Sequence, residues 1–267
     1  MEWIAGFVIA TTVGLTGMGG GSFTVPILVL AGLPTAEAVG TAMLFAAFLR
    51  LVAAPIYLRR KHVHTRYLAS LLIGAVPGVL AGSWALHSLG ASSWKPAVLL
   101  AVGLMLVISS LLSFVPRLRK PDFARRNTPW LALLALPIGM ETGFSSAGAG
   151  ALGTVLLLNF SEMPVAQVVG TDILFGIVLA IVGSAFHLGW GSVHTETLLR
   201  LSAGGLPGVL LGCALARHIA SAKLRAAVAV VAVALGLQLV LMAGRSLWEN
   251  RVKHRDSQVI VLRSGLL

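Results

Sequence analysis

Residues 17–22 read Gly-Met-Gly-Gly-Gly-Ser and interrupt a continuous apolar run at 3–31. Residues 145–150, Ser-Ser-Ala-Gly-Ala-Gly, interrupt a second run at 130–160 in the same way. A bilayer core of about 30 Å needs roughly 20 helical residues, so each run is too long for one straight helix. A helix broken at membrane depth exposes backbone polar groups, and it survives only where it lines a cavity or packs against protein. The two interruptions, called here the first and second breaks, are therefore the predicted centre of the molecule.

The composition around the breaks is that of a membrane protein. The chain has 267 residues, of which 57% are hydrophobic and 11% charged, and its mean hydropathy is +0.92. Soluble domains are about 45–50% apolar and about 25% charged. The numbers exclude a disordered chain, a collagen and a disulfide scaffold, and the single Cys213 excludes a cysteine-rich metal or redox site. The net charge of +11 favours basic cytoplasmic loops over nucleic-acid binding.

The apolar runs predict an all-α integral membrane protein with eight transmembrane helices, the first and fifth broken at the midplane. The predicted spans are residues 3–31, 36–58, 67–89, 96–114, 130–160, 165–188, 197–219 and 224–243. With eight crossings, 14 Lys and Arg lie on one face and three on the other. The positive-inside rule then places both termini in the cytoplasm.

The chain is duplicated with a shift of 130 residues. Between residues 20 and 82, 25 of 63 positions are identical to the residue 130 positions later, including Val63-His64-Thr65 and Val193-His194-Thr195. This predicts transmembrane repeats at 1–115 and 130–244, a basic linker at 116–129 and a basic tail at 245–267. Four crossings in each half give parallel repeats, whereas breaks that enter and leave on one face give three crossings and inverted repeats.

The repeated elements carry a family resemblance. Residues 17–26 with the glycine run, 38–41 (Ala-Val-Gly-Thr) and 74–78 (Gly-Ala-Val-Pro-Gly) make the chain resemble the sulfite exporter TauE/SafE family over residues 3–243. The resemblance implies export or uptake of sulfite, a sulfonate or a related sulfur-containing or organic anion across a bacterial plasma (inner) membrane. Together with the repeats and the breaks, it leads us to expect a secondary transporter, an exporter, that works by alternating access. The second copy departs from the pattern, because Ala149 and Ala151 stand where the first has glycine.

The breaks are the predicted anion site. A helix that restarts near Ser22 directs its N–H groups and the positive end of its dipole at the midplane, and glycines allow close approach. The alternative is close helix packing through small residues. In the second break, serine hydroxyls either complete the shell or bond the freed carbonyls. The predicted substrate-binding residues are Gly19, Gly20, Gly21, Ser22, Thr41, Arg50, Ser145, Ser146, Gly148 and Thr171.

Three ionisable residues lie well inside predicted spans: Arg50, Glu141 and Asp172. Charge at membrane depth costs at least about 2.5–3.5 kcal/mol, so each group requires a partner or water. Arg50 is a candidate anion ligand, and Glu141 and Asp172 are candidate proton carriers. The alternative is a structural ion pair, Arg50 with Glu141 or Arg50 with Asp172.

Two other classes of protein compete with a carrier. Gly143-Phe144-Ser145 and His187 suggest an intramembrane serine hydrolase, but neither member of the dyad is repeated in the first half. A pore or membrane scaffold is the third class. No P-loop motif for ATP hydrolysis is present. We expect a transporter, not an enzyme, with no cofactor, metal or nucleic-acid partner; the sequence leaves its oligomeric state open.

Overall fold

The computed structural model describes residues 2–16, 20–58, 63–90, 95–112, 129–161, 163–215 and 230–248, and these residues form helices joined by short turns, without strands. The ten helices in this part of the chain are α1 Glu2–Thr16, α2 Gly21–Leu30, α3 Thr35–Leu58, α4 Thr65–Gly90, α5 Lys95–Leu112, α6 Pro129–Ser145, α7 Gly148–Phe160, α8 Val165–Gly189, α9 Thr195–Leu215 and α10 Val230–Trp248.

Five of these helices are long and apolar enough to cross a membrane, namely α3, α4, α8, α9 and α10. Their outward surface is also apolar: Ile73 is 71% exposed, Trp84 60% and Leu199 65%. Exposed apolar side chains in such number favour contact with lipid over contact with water. The all-helical membrane architecture predicted from the sequence is confirmed, but the arrangement of eight crossings in two repeats is not.

Two glycine-lined seams hold the outer part of the bundle together. Gly204, where an added Cβ would lie 1.8 Å from the Trp3 carbonyl oxygen, begins the seam between α9 and α1. Gly74, where an added Cβ would lie 1.7 Å from the Ala132 carbonyl oxygen, begins the seam between α4 and α6. Successive contacts follow in the same order along both helices of each pair, so each pair is parallel: Gly208 with Phe7, Gly212 with Thr11, Gly78 with Leu136 and Gly82 with Met140.

Helices α3 and α8 pack against each other in the centre and run in opposite directions. Positions near the start of α3 contact the end of α8, as with Gly40 and His187, and Arg50 further along α3 contacts Gly176 near the middle of α8. These two helices correspond to each other in the sequence duplication. In inverted repeats, corresponding helices run in opposite directions, as α3 and α8 do. The parallel repeats that eight crossings would give require them to run in the same direction.

Each broken segment folds back on itself. An added Cβ at Gly20, before α2, would lie 3.1 Å from Val13 and 3.7 Å from Ile9 of α1. Likewise Gly148, at the start of α7, lies against Ile138 of α6. Helices α6 and α7 are therefore a helical hairpin, called the second hairpin. Helices α1 and α2 form the first hairpin, because α1 and α3, the helix that follows α2, both start beside the start of α9. Residues 20–22 and 146–148 are called the hairpin tips.

The hairpins define two ends of the bundle. The end that holds the first residues of α1, α3 and α9 is called the first face, and the opposite end, with the first residues of α4, α6 and α8, is the second face. Gly143, close to the tip of the second hairpin, packs beside Val79 and Ser83 in the interior of α4. The tip therefore stops inside the bundle, and α7 returns toward the second face.

Candidate functional site

The two hairpin tips touch each other inside the bundle. A Cβ added to Gly21 at the start of α2 would lie 1.8 Å from the carbonyl oxygen of Ser146 and 2.6 Å from its hydroxyl oxygen. Both residues are buried. The contact is between backbones, so glycine at position 21 is a steric requirement of the meeting point.

The first tip presents the start of a helix. Gly20 precedes α2 with φ −68° and ψ −14° and has no side-chain cap. Its carbonyl oxygen accepts hydrogen bonds from the N–H groups of Phe23 and Thr24 and from the Thr24 hydroxyl at 2.9 Å. The N–H groups of Gly21 and Ser22, before these donors, have no acceptor within their own helix, which leaves them available to a ligand. Ser22 in that turn is partly exposed, whereas Gly19 lies outside the described residues.

The second tip is an irregular turn. Ser146 has φ +61°, a conformation uncommon for a residue with a side chain, and Gly150 has φ +111°. The Ser145 hydroxyl donates to the Glu141 carbonyl oxygen at 3.0 Å, and the Ser146 N–H donates to the Thr142 carbonyl at 2.8 Å. The Ser145 side chain thus bonds a carbonyl oxygen of its own helix and does not point to an anion, as in the second of the two interpretations of this break.

Arg50 joins the second tip to the central helices. Its guanidinium donates to the carbonyl oxygens of Gly176 in α8 and Ala149 in the second break, each at 2.5 Å. It also interacts electrostatically with Asp172. The Asp172 carboxylate in turn accepts a hydrogen bond of 2.7 Å from the Thr154 hydroxyl. Of the two predicted ion pairs, the structure therefore favours Arg50 with Asp172.

Two of these contacts were not predicted from the sequence. Gly176 makes room for the guanidinium, because a Cβ there would lie 2.5 Å from an Arg50 nitrogen. The Thr154 hydroxyl donates a hydrogen bond to Asp172. Threonine stands at both 24 and 154, the equivalent positions of the duplication, and this repeat could have marked Thr154 as a candidate. Both residues act by contact between helices, which no local sequence pattern expresses.

Glu141 lies in α6, four residues before the end of the helix at Ser145. Its Oε1 atom is buried without a hydrogen-bond partner, and its Oε2 atom would lie 3.0 Å from a Cβ on Gly148. The side chain of Ser109 in α5 lies beside the carboxyl group. A carboxyl group with an unsatisfied buried oxygen is costly when ionised, which favours a group that holds a proton.

Thr41 and Thr171 lie away from the tips. Each side chain is fully buried. The Thr41 hydroxyl oxygen accepts a hydrogen bond of 2.9 Å from the His194 N–H, and that of Thr171 accepts one of 3.1 Å from the His64 N–H. Both threonines thus contact the connections that precede α9 and α4.

The serine–histidine pair considered for hydrolysis is not assembled in this structure. Both ring nitrogens of His187 are buried and neither is bonded to Ser145, whose hydroxyl is directed to the Glu141 carbonyl. Among the residues whose positions are known, no group of three or more His, Cys, Asp or Glu side chains is arranged to hold a metal ion.

Known proteins with similar sequences are membrane transporters by name. The chain is 26% identical to the probable membrane transporter protein YjnA of Bacillus subtilis over 89% of this chain and 98% of that protein. It is 31% identical to a probable membrane transporter protein of Haemophilus influenzae over 78% of this chain and 80% of that protein. No solved structure matches. The family model for the sulfite exporter TauE/SafE matches residues 3–239, and the chain therefore belongs to that family of membrane transporters.

Proposed function

We propose that this transporter is a secondary carrier for a small anion, with sulfite, sulfonates and related sulfur-containing or organic anions as the substrate class, and that it exports them. The observation that carries the proposal is the contact between the two hairpin tips at Gly21 and Ser146. It brings the start of α2, with the positive end of its helix dipole, against the irregular turn at 146–150 that precedes the regular part of α7. Helix starts with unpaired N–H groups are suited to bind anions.

The anion would bind at this meeting point. The N–H groups of Gly20, Gly21 and Ser22 and the Ser22 hydroxyl would donate to it from the first hairpin, and Ser146 and Gly148 from the second. Arg50 contributes positive charge nearby, although its hydrogen bonds go to carbonyl oxygens. Thr41, Thr171 and Ser145 are left out of the site because their side chains are engaged elsewhere.

We also propose that six helices cross the membrane, namely α3, α4, α5, α8, α9 and α10, while the two hairpins enter and leave on one face each. The halves are then inverted repeats, a common basis of alternating access. The first residue of α1 and the last residue of α10 lie at the first face. Arg66 and the connections that start from the second face, after α3, α5 and α9, carry twelve of the 20 Lys and Arg residues. Seven others are Lys95, Arg200 and five residues at 245–263, at or after the first-face ends of their helices. The positive-inside rule makes the second face cytoplasmic, so the termini lie outside, in contrast to the eight-span topology.

Glu141 is the favoured proton carrier for coupling. Asp172 is paired with Arg50 and Thr154, which stabilises its ionised form, whereas the groups beside the buried Glu141 carboxyl, Ser109 and Gly148, carry no charge. A carboxyl group that gains and loses a proton near the anion site would link proton flux to anion flux, because a proton and an anion bound together avoid a net buried charge.

A thermal-shift screen of the purified protein tests the substrate class. Sulfite, sulfate, thiosulfate, sulfonates and carboxylates are compared at equal ionic strength, since only a ligand of the native state raises its apparent stability. Reconstituted vesicles then measure flux. Saturable, gradient-coupled flux of a stabilising anion is expected. Stabilisation by none of the anions would contradict the proposal, and flux that does not saturate would indicate a pore.

A further inference from the structure

We propose that Thr41 and Thr171 are two latches, one toward each face of the membrane, that open alternately during transport. The inference rests on the proposed carrier function. Each threonine lies near the start of a central helix and holds a connection that belongs to the other half of the chain. The two contacts have the same chemistry, a backbone N–H of a histidine donating to a threonine hydroxyl oxygen.

The positions of the latches follow from the antiparallel packing of α3 and α8. Thr41 is in the second turn of α3 at the first face, and Thr171 is in the second turn of α8 at the second face. His194 immediately precedes α9, and His64 immediately precedes α4, so each latch ties the start of one helix to the start of another. The hairpin tips lie between the two latches.

Close packing at the first-face latch excludes water. A Cβ at Gly40, the residue before Thr41, would lie 2.0 Å from the carbonyl oxygen of Ser192. Thr41 and Thr171 are both fully buried. Both hydrogen bonds are present together, so in this structure both latches are engaged. Passage of an anion to either face requires that the connection at that face move away, and this breaks its latch.

The duplication makes such an exchange feasible. Gly40-Thr41 and Gly170-Thr171 are identical pairs, as are Val63-His64-Thr65 and Val193-His194-Thr195. Opening one latch therefore costs about as much as opening the other, and a state open at one face can convert to a state open at the opposite face with little change in free energy. A single hydrogen bond of this type changes an equilibrium by roughly threefold to tenfold.

Cysteine accessibility at the tip tests the latches separately. The reporter is Ser22→Cys in a Cys213→Ala background, and its reaction with a membrane-impermeant thiol reagent is measured in right-side-out and inside-out vesicles. Thr41→Val removes the acceptor at nearly constant volume and should raise reactivity roughly threefold to tenfold from the first face only. Thr171→Val should do so from the second face only. Thr41→Ser and Thr171→Ser keep the hydroxyl and should resemble the parent.

Opposite sidedness of the two valine variants is the expected result. Equal effects on both faces, effects on the same face, or no change in folded variants would overturn the proposal. If a valine variant does not fold, cysteines at Thr41 with His194, or at Thr171 with His64, are joined by a short bifunctional maleimide, and each cross-link should abolish reactivity from its own face. Thermal shift with anions is measured in parallel on the threonine variants with Ser22 retained, so that failure of the anion site and failure of the latches are distinguished.

Discussion

The contact between the hairpin tips makes a sharp prediction for two neighbouring glycines. Gly21→Ala should damage anion binding and transport, whereas Gly20→Ala should be tolerated. Both positions lie at the start of α2, and Gly20 has φ −68°, which alanine adopts without strain. The two changes add the same methyl group one residue apart, so each controls for the other.

The magnitude follows from the distances. A Cβ at position 21 would lie 1.8 Å from the Ser146 carbonyl oxygen, where contacts under 3.0 Å are essentially never seen, so the tips must separate by at least about 1.2 Å. An anion that accepts hydrogen bonds of about 2.9 Å from both tips would then lose the bonds to one of them. Loss of one bond to a charged group costs about 1.5–3 kcal/mol, or roughly 10- to 100-fold in affinity. At position 20 the nearest atoms are side-chain methyls of Val13, Ile9 and Leu49 at 3.1–3.7 Å, and we expect a change within about threefold.

The assay is anion binding by thermal shift, followed by flux in reconstituted vesicles. Detergent-solubilised Gly21→Ala must elute as the parent does on size exclusion, so that a loss of binding is not a loss of fold. If Gly21→Ala binds and transports as the parent does, or if both alanine variants lose binding equally, the tips are a packing device and the reasoning is refuted.

Three further predictions concern topology and charge. In the proposed topology, Ser257→Cys should react with a membrane-impermeant thiol reagent in intact cells, and Arg119→Cys should react only after the cells are permeabilised. If both cysteines react only after permeabilisation, the eight-span arrangement is restored. Arg50→Met should lower the free energy of unfolding by about 2 kcal/mol or more, because carbonyl oxygens in the second break and in α8 lose their donor; an unchanged thermal midpoint would contradict that account. Glu141→Gln should abolish anion accumulation driven by a proton gradient and retain anion exchange, whereas proton-driven accumulation at the parent level would exclude Glu141 as the carrier.

The sequence alone predicted the class of protein and the positions of its two interruptions. Composition requires helices in lipid, and the small residues at 17–22 and 145–150 interrupt apolar runs that are too long for one straight helix, so both results follow from local sequence. The family could also be inferred from local motifs, and the family match over residues 3–239 confirms it. From the sequence, the partner of Arg50 could be either Glu141 or Asp172, because the sequence does not give the depth or direction of a side chain.

The tertiary structure alone decided the direction of each broken segment. A break is compatible with a helix that continues across the membrane and with one that turns back, and the local sequence is the same in both cases. The difference lies in contacts between helices: Gly20 against α1, Gly148 against α6, and α3 antiparallel to α8. The same contacts place Thr41 and Thr171 at opposite ends of the bundle, although their sequence surroundings are nearly identical. Duplicated sequence specifies equal local structure, and only packing between the copies determines how they are oriented.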